Sequence, residues 1–186
     1  MPKIIPPNFV VHYSRGEPFR SITSFPKDEW QSIIDSLNST SAWGLNRFAD
    51  PQYLKQRVLA EAEVRKAFIA KGGRPQLEQP IYFFLGANQR FEEHKLNKGY
   101  KINLDDLESE QISFTYGDSM LAFIKENRDQ SGPKYKNLLC DEVYRLEELG
   151  NVYSSVHFPD ENQLAIEAQL WTIPSQEIIE TLFDGI

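Results

Sequence analysis

Apolar and polar positions along this chain fall into short blocks whose period changes often. Phe9-Val10-Val11-His12-Tyr13-Ser14 is aromatic and β-branched and predicts a strand, which Gly16-Glu17-Pro18 breaks. Pro26 opens a helix expected to run to about Ser39, with Trp30, Ile33, Ile34 and Leu37 at helical spacing. The next helix has clearer ends. Asp50 can cap it, and Pro51 suits its first turn, where a missing N–H leaves no bond unmade. Gly72-Gly73 can close it in a left-handed turn. Its expected inward face runs through Leu54, Val58, Ala62 and Phe68.

Ile81-Tyr82-Phe83-Phe84-Leu85 is continuously apolar and closed by Gly86, the signature of a buried central strand. Tyr100 to Leu104 and Ile112 to Tyr116 predict two more strands, and Asp118 is placed to cap a short helix through Phe123 and Ile124. A polar loop from Arg128 to Lys136 precedes an amphipathic helix from Leu138 to Leu149 that ends at Gly150. Val152 to Phe158 and Leu164 to Trp171 predict a hairpin that turns at Pro159-Asp160-Glu161-Asn162. Pro174-Ser175 starts a last helix through Phe183. Strands and helices do not alternate strictly, which argues against a doubly wound parallel sheet. The expectation is α+β: a single domain over residues 1–186, with 1–8 as an extended arm, a mixed and mostly antiparallel sheet, and about five flanking helices.

Composition narrows the classes. Twelve Phe, eight Tyr and three Trp argue against disorder. A net charge of −7 disfavours nucleic-acid binding, which needs clustered Lys and Arg. The charge is uneven: residues 1–75 hold eleven basic and seven acidic side chains, the remainder nine and twenty. The amino-terminal part could thus attract an anionic small molecule, or simply its acidic neighbour in the fold. No run is apolar and long enough to cross a bilayer, and the start lacks a signal peptide's core, so a cytoplasmic protein is expected. The single cysteine, Cys140, reads as a buried thiol in a helix.

Candidate chemistry is sparse. His12, His94 and His157 stand far apart and no metal-ligand spacing occurs, so no metal is expected. There is no Gly-rich phosphate loop, since Gly72-Gly73 follows a helix rather than preceding one. Gly117-Asp118-Ser119 sits between a strand and a helix, as a nucleophilic serine can, and resembles the Gly-Asp-Ser block of GDSL-like serine hydrolases. In those enzymes the block lies near the amino terminus, with a late Asp-x-x-His. Here it begins at position 117, and Ser154 stands three before His157. Strand alternation sets Ala165, Glu167, Gln169 and Trp171 on one face of the last long strand and Leu164, Ile166, Ala168 and Leu170 on the other.

In element order, and in Val11-His12-Tyr13, Ile81-Tyr82-Phe83 and Ile166-Glu167-Ala168, the chain resembles the ADP-ribosyltransferase-like fold, in the branch that uses His, Tyr and Glu. The resemblance implies a split, mostly antiparallel sheet that grips NAD. It makes Glu167 the catalytic carboxylate, His12 a ligand of the adenosine ribose, Tyr82 a stacking partner of nicotinamide, and Arg15 a partner of the pyrophosphate. A second branch uses an early Arg, a Ser-rich strand and a late Glu. Arg15, Ser154-Ser155 and Glu167 can be read that way, although Gln169 follows the glutamate where that branch has Gln or Glu before it. The alternative class is a non-catalytic acidic interaction or regulatory domain with a protein partner, for which several aromatic residues could be anchors.

Overall fold

The apolar blocks come together as one sheet. The computed structural model describes residues 5–38, 50–92, 98–126, 141–155 and 166–183. Its strands are β1 (Phe9–Ser14), β2 (Ile81–Leu85), β3 (Lys98–Asn103), β4 (Ile112–Tyr116), β5 (Tyr144–Arg145), β6 (Ile166–Leu170) and β7 (Glu180–Phe183). They lie in the order β5-β4-β6-β2-β1-β3-β7, and every ladder between them is antiparallel. The helices are α1 (Trp30–Asn38), α2 (Pro51–Ala70), α3 (Gln89–Glu92), α4 (Ser119–Phe123) and α5 (Leu149–Ser155). The architecture is α+β, as the broken alternation predicts. The helical layer is slighter than about five full helices, since α3 is a single turn. No helix among the described residues is long and apolar enough to cross a membrane.

Residues opposite one another in an antiparallel ladder share a face. Phe83 faces Ala168, which faces Phe114. With Val10, Ile81, Ile102, Ile112, Ile166 and Leu170 they form the main core, all buried. The opposite face is different in kind. Phe84 pairs with Glu167 and Glu167 with Thr115; Tyr82 pairs with Gln169 and Gln169 with Ser113. β6 is therefore buried on both faces, one apolar and one polar.

α2 and α4 cover the polar face. Asp50 caps α2 by accepting from the main-chain N–H of Gln52, and Gly72 leaves it at φ 92°. Gly73 follows so close to Phe68 that a Cβ there would lie 2.5 Å from the ring. Phe68 in turn stacks on Trp171, at 6.2 Å between centroids. The inward face of α2 differs from the expected one. Leu54, Ala60, Glu61, Val64 and Phe68 are buried, Arg57 and Val58 are half-buried, and Ala62 is exposed. The helix turns two charged residues inward because partners wait for them there, as described below.

Three expected elements change identity. Tyr144 and Arg145, expected inside the helix of 138–149, pair with Phe114 and Ser113 and extend the sheet by one short strand. Residues 152–155, expected as a strand, belong to α5, where Leu149, Val152 and Tyr153 stand at helical spacing and pack on the core. The expected final helix is instead a short turn at Gln176–Ile178 followed by β7, which pairs with β3 and satisfies backbone groups that would otherwise form an open edge. The loop of 128–136, the hairpin turn at 159–162, Cys140, His94 and His157 lie outside the described residues.

Candidate functional site

The polar face of the sheet gathers the buried carboxylates found among the described residues, Glu61 and Glu167. Its centre is Glu167, 6% exposed on β6, between β4 and β2. Glu167 Oε1 accepts from the main-chain N–H of Ser119 at 3.2 Å and from Gln169 Nε2 at 3.2 Å. Gln169 also donates to Thr115 Oγ1 and accepts from Ser113 Oγ, which in turn accepts from Trp171 Nε1, each at 2.9 Å. This chain fixes the glutamine's orientation, so one of its N–H groups is held against Glu167.

Burial disfavours the ionised carboxyl of Glu167, and the neighbouring Asp118 carboxylate adds to the effect; together they push its pKa up to about 7. Arg57 and the two N–H donors oppose the shift without cancelling it. Glu167 therefore stands near half protonation at neutral pH, the condition in which a carboxyl can both hold and release a proton.

Arg57 and Glu61 come from one turn of α2. The Arg57 Nε lies 3.4 Å from Glu61 Oε1, and the guanidinium carbon lies 3.8 Å from the centroid of the Tyr82 ring, a cation–π contact. Burial works against the Arg57 charge, but the surrounding oxygens of Tyr82, Tyr53, Glu167 and Asp118 more than offset it and keep its pKa above the ordinary value. The Tyr82 hydroxyl donates to Glu61 Oε1 at 3.0 Å, and Thr23 Oγ1 donates to the same oxygen at 2.8 Å. Burial pushes the Glu61 carboxyl up, with Arg57 opposing. One guanidinium thus faces three acidic side chains, Glu61, Glu167 and Asp118.

Beside Glu167 lies an aromatic shelf. Its register partner Phe84 meets Phe91 at 4.9 Å, and Tyr13 stacks on Phe91 at 5.3 Å between centroids. These rings are half-buried. The Tyr13 oxygen accepts from the Asn88 main-chain N–H at 2.8 Å and donates to Glu92 at 3.3 Å, which fixes that ring.

No family model, no curated protein and no solved structure matches this chain.

Tyr82 and Glu167 share a face, as the resemblance requires, but His12 does not join them. Its strand neighbour Val11 pairs with Phe84 on the polar side, so His12 lies on the other. There it packs among Phe19, Phe83 and Tyr100. Nδ1 donates to the Tyr82 carbonyl at 2.7 Å, and Nε2 accepts from the Phe19 main-chain N–H at 3.1 Å. Both ring nitrogens serve the backbone, and burial lowers the pKa to about 4, so the ring is neutral. His12 closes the gap where the β1–β2 ladder ends and holds Phe19 at φ 59°. Arg15 stands one residue beyond β1, half-buried, with its pKa lowered by burial. Ser119 Oγ is buried and has no hydrogen-bond partner among the described residues; His157, the base that the hydrolase reading pairs with it, lies outside them. Among the described residues no group of three His, Cys, Asp or Glu could hold a metal ion.

Arg57, Glu61, Asp118 and the aromatic shelf were absent from the expected site. Two of them had a signal. Leu54, Arg57, Glu61, Val64 and Phe68 repeat at alternate steps of three and four, the spacing of one buried stripe. Two opposite charges four apart on such a stripe must be paired inside the fold.

Proposed function

We propose that the chain binds a pyridinium nucleotide of the NAD type and breaks or transfers at its nicotinamide–ribose bond. The observation that carries this reading is the register pair Phe84–Glu167, which sets a buried carboxyl beside a half-buried aromatic shelf. A nicotinamide ring in NAD is flat and cationic. Aromatic faces attract such a ring, and the surplus acidity of Glu167 and Asp118 complements its charge. The cation would also draw Glu167 toward its ionised form.

Bond cleavage sends the C–N electron pair to the ring, which leaves as neutral nicotinamide, and positive charge develops on the ribose. Glu167 stabilises that charge as a carboxylate. Water or another acceptor then attacks the same carbon and gives its proton to the Glu167 carboxylate. Tyr82, held by Glu61 and Arg57, stands on the same face of the sheet as Glu167. Arg15 is assigned to the pyrophosphate, for which a guanidinium fork is suited. His12 has no part in this reading.

Purified protein is incubated with NAD, and released nicotinamide is measured. Glu167→Gln is expected to remove turnover while NAD binding stays nearly intact. Equal turnover in that variant removes the proposal. A second reading, a non-catalytic interaction domain, is favoured by Leu182, an apolar side chain 38% exposed on β7 at one end of the sheet. It becomes the account if neither binding nor release is seen.

A further inference from the structure

The sequence sets Glu167, Gln169 and Trp171 at alternate positions, and the fold joins them through Ser113 of β4 in one hydrogen-bonded row. Trp171 Nε1 donates to Ser113 Oγ, Ser113 Oγ donates to Gln169 Oε1, and Gln169 Nε2 donates to Glu167 Oε1 and to Thr115 Oγ1. Ser113, Gln169 and Trp171 are fully buried, so bulk water does not compete for these groups.

Most members of this row could point either way. A hydroxyl donates or accepts, a primary amide can turn over and exchange its oxygen for its nitrogen, and a carboxyl accepts when ionised but can donate when protonated. An indole N–H only donates. Trp171 therefore sets the direction for the rest. Ser113 accepts from it and keeps its own proton for Gln169, so the Gln169 oxygen faces Ser113 and its N–H groups face Glu167. With the amide reversed, Ser113 would meet two donors, and its proton would have no acceptor in the row, a costly state for a buried group. The two directions also suit different forms of Glu167. An N–H turned toward it stabilises the carboxylate, whereas an oxygen turned toward it would accept from the protonated acid.

We infer that Trp171 is a positioning residue for Glu167: its indole N–H, acting through Ser113, locks the Gln169 amide with an N–H toward Glu167 and so favours the carboxylate over the acid. The hydrogen bond from Gln169 works with Arg57 against burial and the Asp118 charge. The charged or titratable groups about Glu167 are Arg57 of α2 with its partner Glu61, Asp118 at the N-cap of α4, and Tyr82 of β2. None of them belongs to the row, and the variants below leave all of them in place. The inference concerns the proton on Glu167 and holds whatever ligand the site takes.

The full-length chain is labelled at its glutamate carboxyl carbons and titrated through neutral pH by NMR; the Glu167 signal is the one missing from Glu167→Gln. Trp171→Phe keeps a ring against Phe68 and removes the N–H. It should raise the Glu167 midpoint by about one pH unit, about a tenfold gain in proton affinity and the low end of what a hydrogen bond to a charged group is worth. Ser113→Ala cuts the row at the next link without touching the stack, so it carries the test if the larger change costs the fold, and it should move the midpoint the same way. Ser113→Thr keeps the hydroxyl and should stay near wild type. Phe68→Leu loosens the packing of the indole but leaves every link, so it should lower thermal stability with the midpoint in place. An unmoved midpoint in Trp171→Phe or Ser113→Ala, or one moved as far by Phe68→Leu, overturns the inference.

Discussion

Replacing Glu167 by glutamine tests the electrostatics of the polar face through stability alone. The folded carboxyl has its pKa raised from 4.5 to about 7 by burial and by Asp118. Between those values the folded chain holds a proton that the unfolded chain has released. Stability from this group is therefore complete below about pH 4.5 and falls as pH rises through 7. At roughly 1.4 kcal/mol per pKa unit, the loss is about 3 kcal/mol. His12 works in the opposite sense. Its folded pKa of about 4 lies below the ordinary 6.5, so its contribution is present above pH 6.5 and lost on acidification toward 4. The two slopes overlap and largely cancel in wild type, so a single pH profile is uninformative. The difference between wild type and Glu167→Gln isolates the carboxyl, because glutamine keeps the acceptor oxygen and cannot ionise. Urea unfolding at a series of pH values from about 4 to 9 gives that difference. Relative to the variant, wild type should lose about 3 kcal/mol between pH 4.5 and 8. A flat difference, or one in which wild type gains as pH rises, refutes the assignment of Glu167 as a raised, buried acid.

Two further outcomes follow from the packing. His12→Ala leaves the Tyr82 carbonyl and the Phe19 N–H without partners, and should destabilise the protein by about 3 kcal/mol in urea unfolding, while any stabilisation by NAD persists because the ring is on the opposite face. Gly73→Ala drives a methyl into the Phe68 ring and should cost about 1–3 kcal/mol by the same measurement, with a changed Trp171 fluorescence because that ring stacks on Phe68.

Much of the sheet was legible because its strands are short, β-branched or aromatic, and bounded by breakers. β1, β2 and β4 fall where Phe9–Ser14, Ile81–Leu85 and Ile112–Tyr116 stand in the sequence. Caps at Asp50 and Asp118 were legible for a local reason, since a carboxylate two residues before a free N–H needs nothing from the rest of the fold. Tertiary pairing decided the regions that were misread. Glu180–Phe183 has no strong strand propensity and becomes a strand because β3 offers it an edge. Tyr144-Arg145 does the same against β4.

The site was half legible. Alternation correctly put Glu167, Gln169 and Trp171 on one side of β6, and register then brought Tyr82 to them. What alternation cannot give is the neighbour across the ladder, so the sequence left open which face of β1 would meet that side. The answer, Val11 rather than His12, depends on a pairing between residues more than seventy positions apart. A histidine on a strand satisfied by two main-chain groups looks the same in sequence as one that awaits a ligand.

Nicotinamide release by wild type and Glu167→Gln, with binding followed by thermal shift in the same samples, decides whether Glu167 acts on an NAD-type nucleotide as proposed. NAD at ~100 times its Kd should stabilise both proteins by roughly 2.7 kcal/mol. Turnover should fall at least about a hundredfold in the variant. A wild type that neither binds NAD nor releases nicotinamide, or a variant that turns over as fast as wild type, removes the proposed role of Glu167.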